Sequence, residues 1–313
     1  MFKTLSISYR FLYSTLLLIS LYFFTVNSFA QSRPVRELAP GVFYYFGDEV
    51  QKKSANCLWI VFKDYVLVVD ANYPWGAEEI LQEIRKTTSK PVRFVFNTHY
   101  HHDHTFGNSV FVDSGAVVVA SQETALEMRT LGQVEWNRGT AYSGRNMKDY
   151  RREFPSLTFD KNMTFDDGEH RVELIRMGPA HTAGDAVAFL PKEKILATGD
   201  LCVNGNPWGN NVADAHVNYD LWLNVLDTLA SWDIKTVIPG HGDPGPKEIL
   251  KQQRDYLDDM LTQVRKGIKE GKTKEELVNE IDLQKHPVRG ENKTSNTRSI
   301  RAIYDKLNGG RRQ

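Results

Sequence analysis

A chain of 313 residues, 41% of them hydrophobic and 25% charged, is globular in composition and long enough for one large domain or two small ones. Its 39 lysines and arginines balance 39 aspartates and glutamates, so charge gives no reason to expect nucleic acid as a partner. A core this size needs no disulfide, and Cys57 and Cys202 lie in apolar stretches that suit buried thiols.

The first thirty residues differ from the rest. Lys3 and Arg10 flank the start of an almost unbroken apolar run at 11–24, and Ser28-Phe29-Ala30 puts small residues where a signal peptidase reads. The expectation is a secretory signal peptide over 1–30, cut after Ala30, and a periplasmic or secreted protein with no stable membrane anchor after cleavage. The run is short for a bilayer span, and Gln31 rather than a cysteine follows the cut, which argues against a lipid anchor.

Strands are predicted at 42–46 and 57–62 around a polar loop at 47–55. The stretch 65–70 reads as a buried strand ending in Asp70. A helix at 77–87 carries Ile80, Leu81 and Ile84 on one face, and a strand at 92–97 runs straight into a histidine cluster. A strand at 116–120 and a helix at 122–131 follow. Residues 132–155 are rich in Gly, Asn, Arg and Tyr without a clean period, and read as an insertion over a site. Strands resume at 163–165, 171–177, 186–190 and 195–198. A helix at 219–232 has Leu221, Val225, Leu226 and Leu229 on its apolar face; a strand at 234–238 and a long helix at 247–269 complete the pattern. Thr273 to Glu276 has capping-box form, and Ile300, Ile303, Tyr304 and Leu307 mark a second short amphipathic helix, both suited to packing or oligomer contacts. Two halves, 42–131 and 163–269, thus predict an α/β fold of helix-covered sheets packed together, with a catalytic domain over 31–270 and a helical extension over 271–313.

Leaving His102 aside, five of the nine histidines fall in three places, each at the end of a predicted strand. His99, His101 and His104 cluster with Asp103; His181 follows Gly178-Pro179-Ala180; His241 lies in Pro-Gly-His-Gly; and Asp200 follows Gly199 at another strand end. In extended chain, residues two apart share a face, so His99 and His101 can hold one ion together. The turn into a helix then swings Asp103 and His104 toward a second ion. Imidazole and carboxylate without thiolate suit zinc, and also iron or manganese.

The run His99 to His104 resembles the signature of the metallo-β-lactamase superfamily. Asp70, His181 in Gly-Pro-Ala-His-Thr, Asp200 in Thr-Gly-Asp and His241 follow in that family's order, over roughly residues 40 to 265. The resemblance implies an αβ/βα four-layer sandwich with metals at one edge between the sheets. It implies His99, His101 and His181 on a first metal, Asp103, His104 and His241 on a second, Asp200 bridging them, and Asp70 orienting the site from behind. The stretch Gly209 to His216 resembles the secreted zinc β-lactamases. Asp200 stands where their closest subclass has cysteine, and Val203 where it has a substrate-gripping lysine. The bridging aspartate is the glyoxalase-II-like feature of thioesterases and lactonases.

These residues lead to an exported dinuclear zinc hydrolase, two Zn2+ per chain, that attacks a carbonyl-type bond of a small molecule with a metal-bound hydroxide. Asp103 then both ligates and orients the nucleophile. A β-lactam is the best single substrate; lactone, ester and thioester are the others. Competing readings are a mononuclear iron oxidoreductase like the persulfide dioxygenases, using His99, His181 and Asp200, and a non-catalytic metal-binding accessory protein. Lys52 and Lys53 read first as solvated surface charge and second as groups that meet an anionic substrate; Trp75, Trp136 and Trp208 are candidates to wall a pocket, and Asn210 or Asn211 to donate to an oxyanion. His102, His170, His216 and His286 read as structural or exposed. Oligomeric state is left open.

Overall fold

The computed structural model describes residues 35–48, 51, 54–205, 212–286 and 293–309. The proposed signal peptide, Lys52, Lys53, Trp208, Asn210 and Asn211 lie outside the described residues.

Seven strands form the first sheet in chain order: β1 (Val35–Ala39), β2 (Val42–Tyr45), β3 (Cys57–Val61), β4 (Val66–Val69), β5 (Val92–Phe96), β6 (Val117–Ser121) and β7 (Leu157–Phe159). The β1–β4 strands pair antiparallel as hairpins. From β4 onward pairing is parallel, because helices now intervene: α1 (Pro74–Thr87), α2 (His102–Thr105), α3 (Asn108–Asp113), α4 (Gln122–Thr130) and α5 (Gly132–Ser143). The second sheet runs β12-β11-β10-β9-β8, with β8 (Asn162–Asp166), β9 (Arg171–Arg176), β10 (Ala186–Leu190), β11 (Ile195–Ala197) and β12 (Thr236–Ile238). Between β11 and β12, which pair parallel, runs α6 (Tyr219–Ala230). After β12 come α7 (Glu248–Lys269), α8 (Lys274–Glu280) and α9 (Lys293–Asn308).

Strand alternation generates the layers. In β4, Leu67 and Val69 join Val172, Leu174, Ala188 and Ile238 of the other sheet in the central core, while Val66 and Val68 turn outward onto Ala77, Ile80 and Ile84 of α1. In β11, Ile195 and Ala197 face that same centre and Leu196 packs outward with Trp222, Leu226, Leu257 and Leu261. The result is helix, sheet, sheet, helix, the αβ/βα sandwich expected from the sequence. Each fully buried Leu or Ile contributes roughly 1.5–3 kcal/mol to holding these layers together.

Leu277, Leu283, Ile300 and Ile303 of the C-terminal region belong to the same outer cluster. Thr273 and Glu276 make the anticipated capping box. No helix among the described residues is long and apolar enough to cross a membrane.

Three expectations change. Residues 132–143 are helical. The buried stripe of α5 is Gly132, Glu135, Gly139 and Ser143, spaced for a helix but not apolar, so hydrophobic periodicity cannot register it. On α6, Leu221 is exposed and Trp222 occupies the core instead. Strands β1 and β7 join the sheet edges without a predicted counterpart. Cys57 and Cys202 are both buried and form no disulfide.

Candidate metal centre

All the predicted ligands converge. One ligand atom from each of His99, His101, His181 and Asp200 lies within 4.8 Å of the others, and Asp103, His104 and His241 form a second such group. Asp200 reaches both. Its Oδ1 is 3.2 Å from His104 Nε2 and 3.3 Å from His241 Nε2, and its Oδ2 is 3.9 Å from His99 Nε2. His241 Nε2 also lies 3.2 Å from Asp103 Oδ2. The rings of His99, His101 and His181 pack at centroid distances of 4.7 to 5.0 Å.

Strand ends put them there. As β4 ends, Asp70 takes a positive φ of 60°, and its carboxylate accepts from the Thr98 amide at 2.8 Å, the Thr98 hydroxyl at 2.9 Å and His104 Nδ1 at 2.8 Å. One acid thereby ties the end of β4 to the histidine segment and leaves His104 Nε2 aimed into the site. Asp200 sits on a single 3-10 turn, Gly199–Leu201. A Cβ at Gly199, whose φ is +51°, would stand 2.3 Å from Thr98 Oγ1, so glycine is required for the approach.

His101 and His241 have their own holders. His101 Nε2 lies 3.0 Å from Asp214, which also accepts from the Tyr100 hydroxyl at 2.6 Å. His241 Nδ1 lies 2.9 Å from the Ser54 carbonyl oxygen. Asn56 donates to the carbonyls of Pro239 and Gly242, clamping the turn that carries His241. Asp185 Oδ1 stands 3.6 Å from His181 Nδ1, too far for a hydrogen bond; the Thr182 hydroxyl donates to that oxygen and the Thr182 amide to Oδ2, each at 2.7 Å.

The electrostatics follow from burial and crowding. Burial alone would raise the carboxyl pKa values of Asp200 and Asp103, but the surrounding histidines, His241 and His104 foremost for Asp200 and His104 and His102 for Asp103, hold both well below the usual range. Burial, then the neighbouring His104 and His101, keeps His99 neutral. For His241 burial acts downward, yet Asp200 and Asp103 outweigh it and push the ring up to about 10.

A metal fits this arrangement. His99 Nε2, His104 Nε2, His181 Nε2 and Asp200 Oδ1 are buried and make no hydrogen bond. Unsatisfied buried polar atoms are costly and rare. Here they converge beside ionised carboxylates, the donor set divalent cations select.

Other residues singled out in the sequence find ordinary partners. His102 Nδ1 pairs with the Tyr73 hydroxyl at 2.9 Å, His170 with Glu193, His286 with Asp259, and His216 with Glu127. Trp75 is buried, stacked on Tyr73 and covered by the Arg145 guanidinium at 4.4 Å. Trp136 packs on Phe106. Asp214, Tyr100, Asp185, Ser54 and Glu127 were not anticipated. Asp214 and Tyr100 had a signal, lying in the stretches 209–216 and 99–104 that carry the resemblance.

The family model of the metallo-β-lactamase superfamily matches residues 51–241. The chain belongs to that superfamily, and it is a hydrolase of that family with residue groups placed to bind metal. Among its relatives, the metallo-β-lactamase type 2 of Elizabethkingia meningoseptica is 24% identical over 246 residues, 75% of this chain and 90% of the relative. That of Bacillus cereus is 28% identical over 218 residues, covering 68% and 76%. A linear primary-alkylsulfatase of a Pseudomonas strain is 23% identical over 250 residues, and the chain spans 46% of its length. Among solved structures, a metallo-β-lactamase from Pontibacter korlensis superposes with a TM-score of 0.59 at 23% identity, over 72% of this chain and 98% of that one. A stereoselective inverting sec-alkylsulfatase from Pseudomonas superposes at 0.66 and 18% identity, over 87% of this chain and 50% of that one. Both show the shared fold.

Proposed function

We propose that the chain is an exported dinuclear zinc hydrolase of a small molecule bearing a carbonyl-type bond, with a β-lactam as first substrate. The observation that carries this is the pair of ligand groups joined through Asp200, with His99 Nε2, His104 Nε2 and His181 Nε2 buried and making no hydrogen bond. His99, His101 and His181 would hold one ion, Asp103, His104 and His241 the other, and Asp200 both. Two divalent ions held by these residues would supply a water made nucleophilic near neutral pH and would polarise the bond under attack.

The chain's own groups do the rest. Asp103 stays ionised, accepts from Ser54 Oγ at 3.4 Å, and is the acceptor that orients an incoming water. Asp70, Asp214 and the Ser54 carbonyl set the ring orientation of His104, His101 and His241. The basic and apolar start of the chain supports delivery to the periplasm or beyond.

A second reading, sulfate-ester hydrolysis, is favoured by the alkylsulfatase relative and by the broader superposition on an alkylsulfatase fold. The test is a turnover panel of β-lactams, lactones, thioesters, phosphoesters and alkyl sulfates, with added zinc and with chelator, alongside metal analysis. Two zinc per chain and chelator-sensitive β-lactam turnover are expected. Turnover of alkyl sulfates alone would replace the substrate, and a single iron would replace the hydrolytic mechanism.

A further inference from the structure

We propose that Glu127, on α4, is the positioning residue of the three-histidine half of the centre, one buried carboxylate holding both loops on which His181 and His101 depend. The inference rests on the metal-site reading above.

Glu127 is 2% exposed and is not spent on a lysine or arginine. Its Oε1 accepts from the Ala183 amide and its Oε2 from the Gly184 amide, each at 3.1 Å. These amides belong to the turn between His181 and Asp185. Oε1 also takes His216 Nδ1 at 2.7 Å. The His216 amide in turn donates to Asp214 Oδ1 at 2.7 Å, and Asp214 Oδ2 holds His101 Nε2. One side chain therefore fixes the loop after His181 directly and the holder of His101 through a single intermediary.

The helix grips the same loop from its other side. Ser121 Oγ and Thr124 Oγ1 donate to the Gly184 carbonyl at 2.7 and 2.8 Å. A Cβ at Gly184 would lie 2.2 Å from the Thr124 amide nitrogen, so the loop seats on α4 without space for a side chain. Three donors converging on one buried point require an acceptor-only group with two oxygens, which is an ionised carboxylate. Glutamine has one acceptor oxygen and would face a donor with its amide; alanine would leave the buried Gly184 amide and the partly buried Ala183 amide without their acceptor. Glu127, Asp214 and His216 also lie close enough to share a cation. Both Glu127 oxygens are already occupied by N–H donors, which makes the group a hydrogen-bond clamp.

The test compares wild-type chain with Glu127→Ala, Glu127→Gln and His216→Ala, titrating the metal-free proteins with Co2+ and following the visible bands, with the unfolding midpoint of each metal-free protein measured in parallel. Glu127→Ala should weaken binding at the histidine-rich half by about 10- to 100-fold and shift its bands, leaving the half held by Asp103, His104 and His241 unchanged. Glu127→Gln, which keeps the shape, should recover part of the loss, and His216→Ala should do less because the two amide bonds remain. Equal weakening of both halves in step with a fall in metal-free stability would overturn the proposal, as would unaltered binding at the histidine half in both Glu127 variants. A third equivalent of metal in wild type that vanishes in Glu127→Ala would overturn the clamp in favour of a cation site. Wild type binding one ion, at the histidine half alone, would refute the dinuclear reading while the comparison at that half still decides the role of Glu127.

Discussion

Asp214 lies 3.0 Å from Nε2 of His101, a residue 113 positions earlier in the chain. The histidines around Asp214 outweigh its burial and keep its carboxyl ionised, so the ring must donate. That commits Nε2 to carry the proton and leaves Nδ1 as the nitrogen with a lone pair for a ligand. Replacing Asp214 with alanine frees the ring to turn and to change tautomer. Metal affinity should fall about 10- to 100-fold, read by competition with a chromogenic chelator; an unaltered affinity would show that the tautomer is set elsewhere.

The pH dependence of metal uptake follows from His241. Its pKa in the metal-free fold is pushed up to about 10, so the protonated ring stabilises the empty protein. That contribution is complete below the ordinary histidine value and disappears as pH rises through the raised one. A metal needs the neutral ring, so loading displaces a proton, and apparent affinity should climb about tenfold per pH unit for each proton released, up to the raised pKa. Calorimetry in buffers of different ionisation enthalpy measures the release, and a pH-independent affinity would contradict it.

Gly240 decides where Asp200 can be. A Cβ there would stand 2.1 Å from Asp200 Oδ1 and 2.8 Å from the Gly199 carbonyl carbon. Gly240→Ala should displace the carboxylate, lower metal content and cost ~2 kcal/mol or more of stability, the range of strained core substitutions. Metal analysis and thermal unfolding of the same sample check both effects.

Trp222 supports the site from the outer layer. It is fully buried, donates from Nε1 to the Leu201 carbonyl at 3.0 Å, and lies 5.2 Å from the His181 ring. Trp222→Ala should cost ~3–5 kcal/mol in denaturant unfolding, by lost burial and the cavity left behind. Trp222→Phe should cost less, about 1–3 kcal/mol, through the unpaired Leu201 carbonyl.

Much of this was legible in the chain. The strands that became β2 to β6 and the helices α1, α4, α6 and α7 announced themselves, the helices because each buries one apolar face at helical spacing, and central strands such as β4 because both their faces are buried and they read as continuous apolar runs. The metal-centre residues were legible for a different reason: His99, His101, Asp103 and His104 are close in sequence, so their local spacing already encodes geometry. Helix α5 escaped because its buried stripe is made of Gly132, Glu135, Gly139 and Ser143. Gly139 is small for a purpose, since a Cβ there would meet Phe106 and His102 at 2.6 and 2.7 Å. A helix that seats by close backbone approach leaves no hydrophobic period to read.

What the amino-acid order determined by itself was the layered fold and the chemical type of the donors, since periodicity and short-range spacing are local properties. What only the folded chain decided was orientation. Asp70 on His104, Asp214 on His101, the Ser54 carbonyl on His241 and Glu127 beneath Gly184 are partners brought together across long separations by sheet packing. Hydrogen-bond direction depends on three-dimensional approach, which no spacing along the chain specifies.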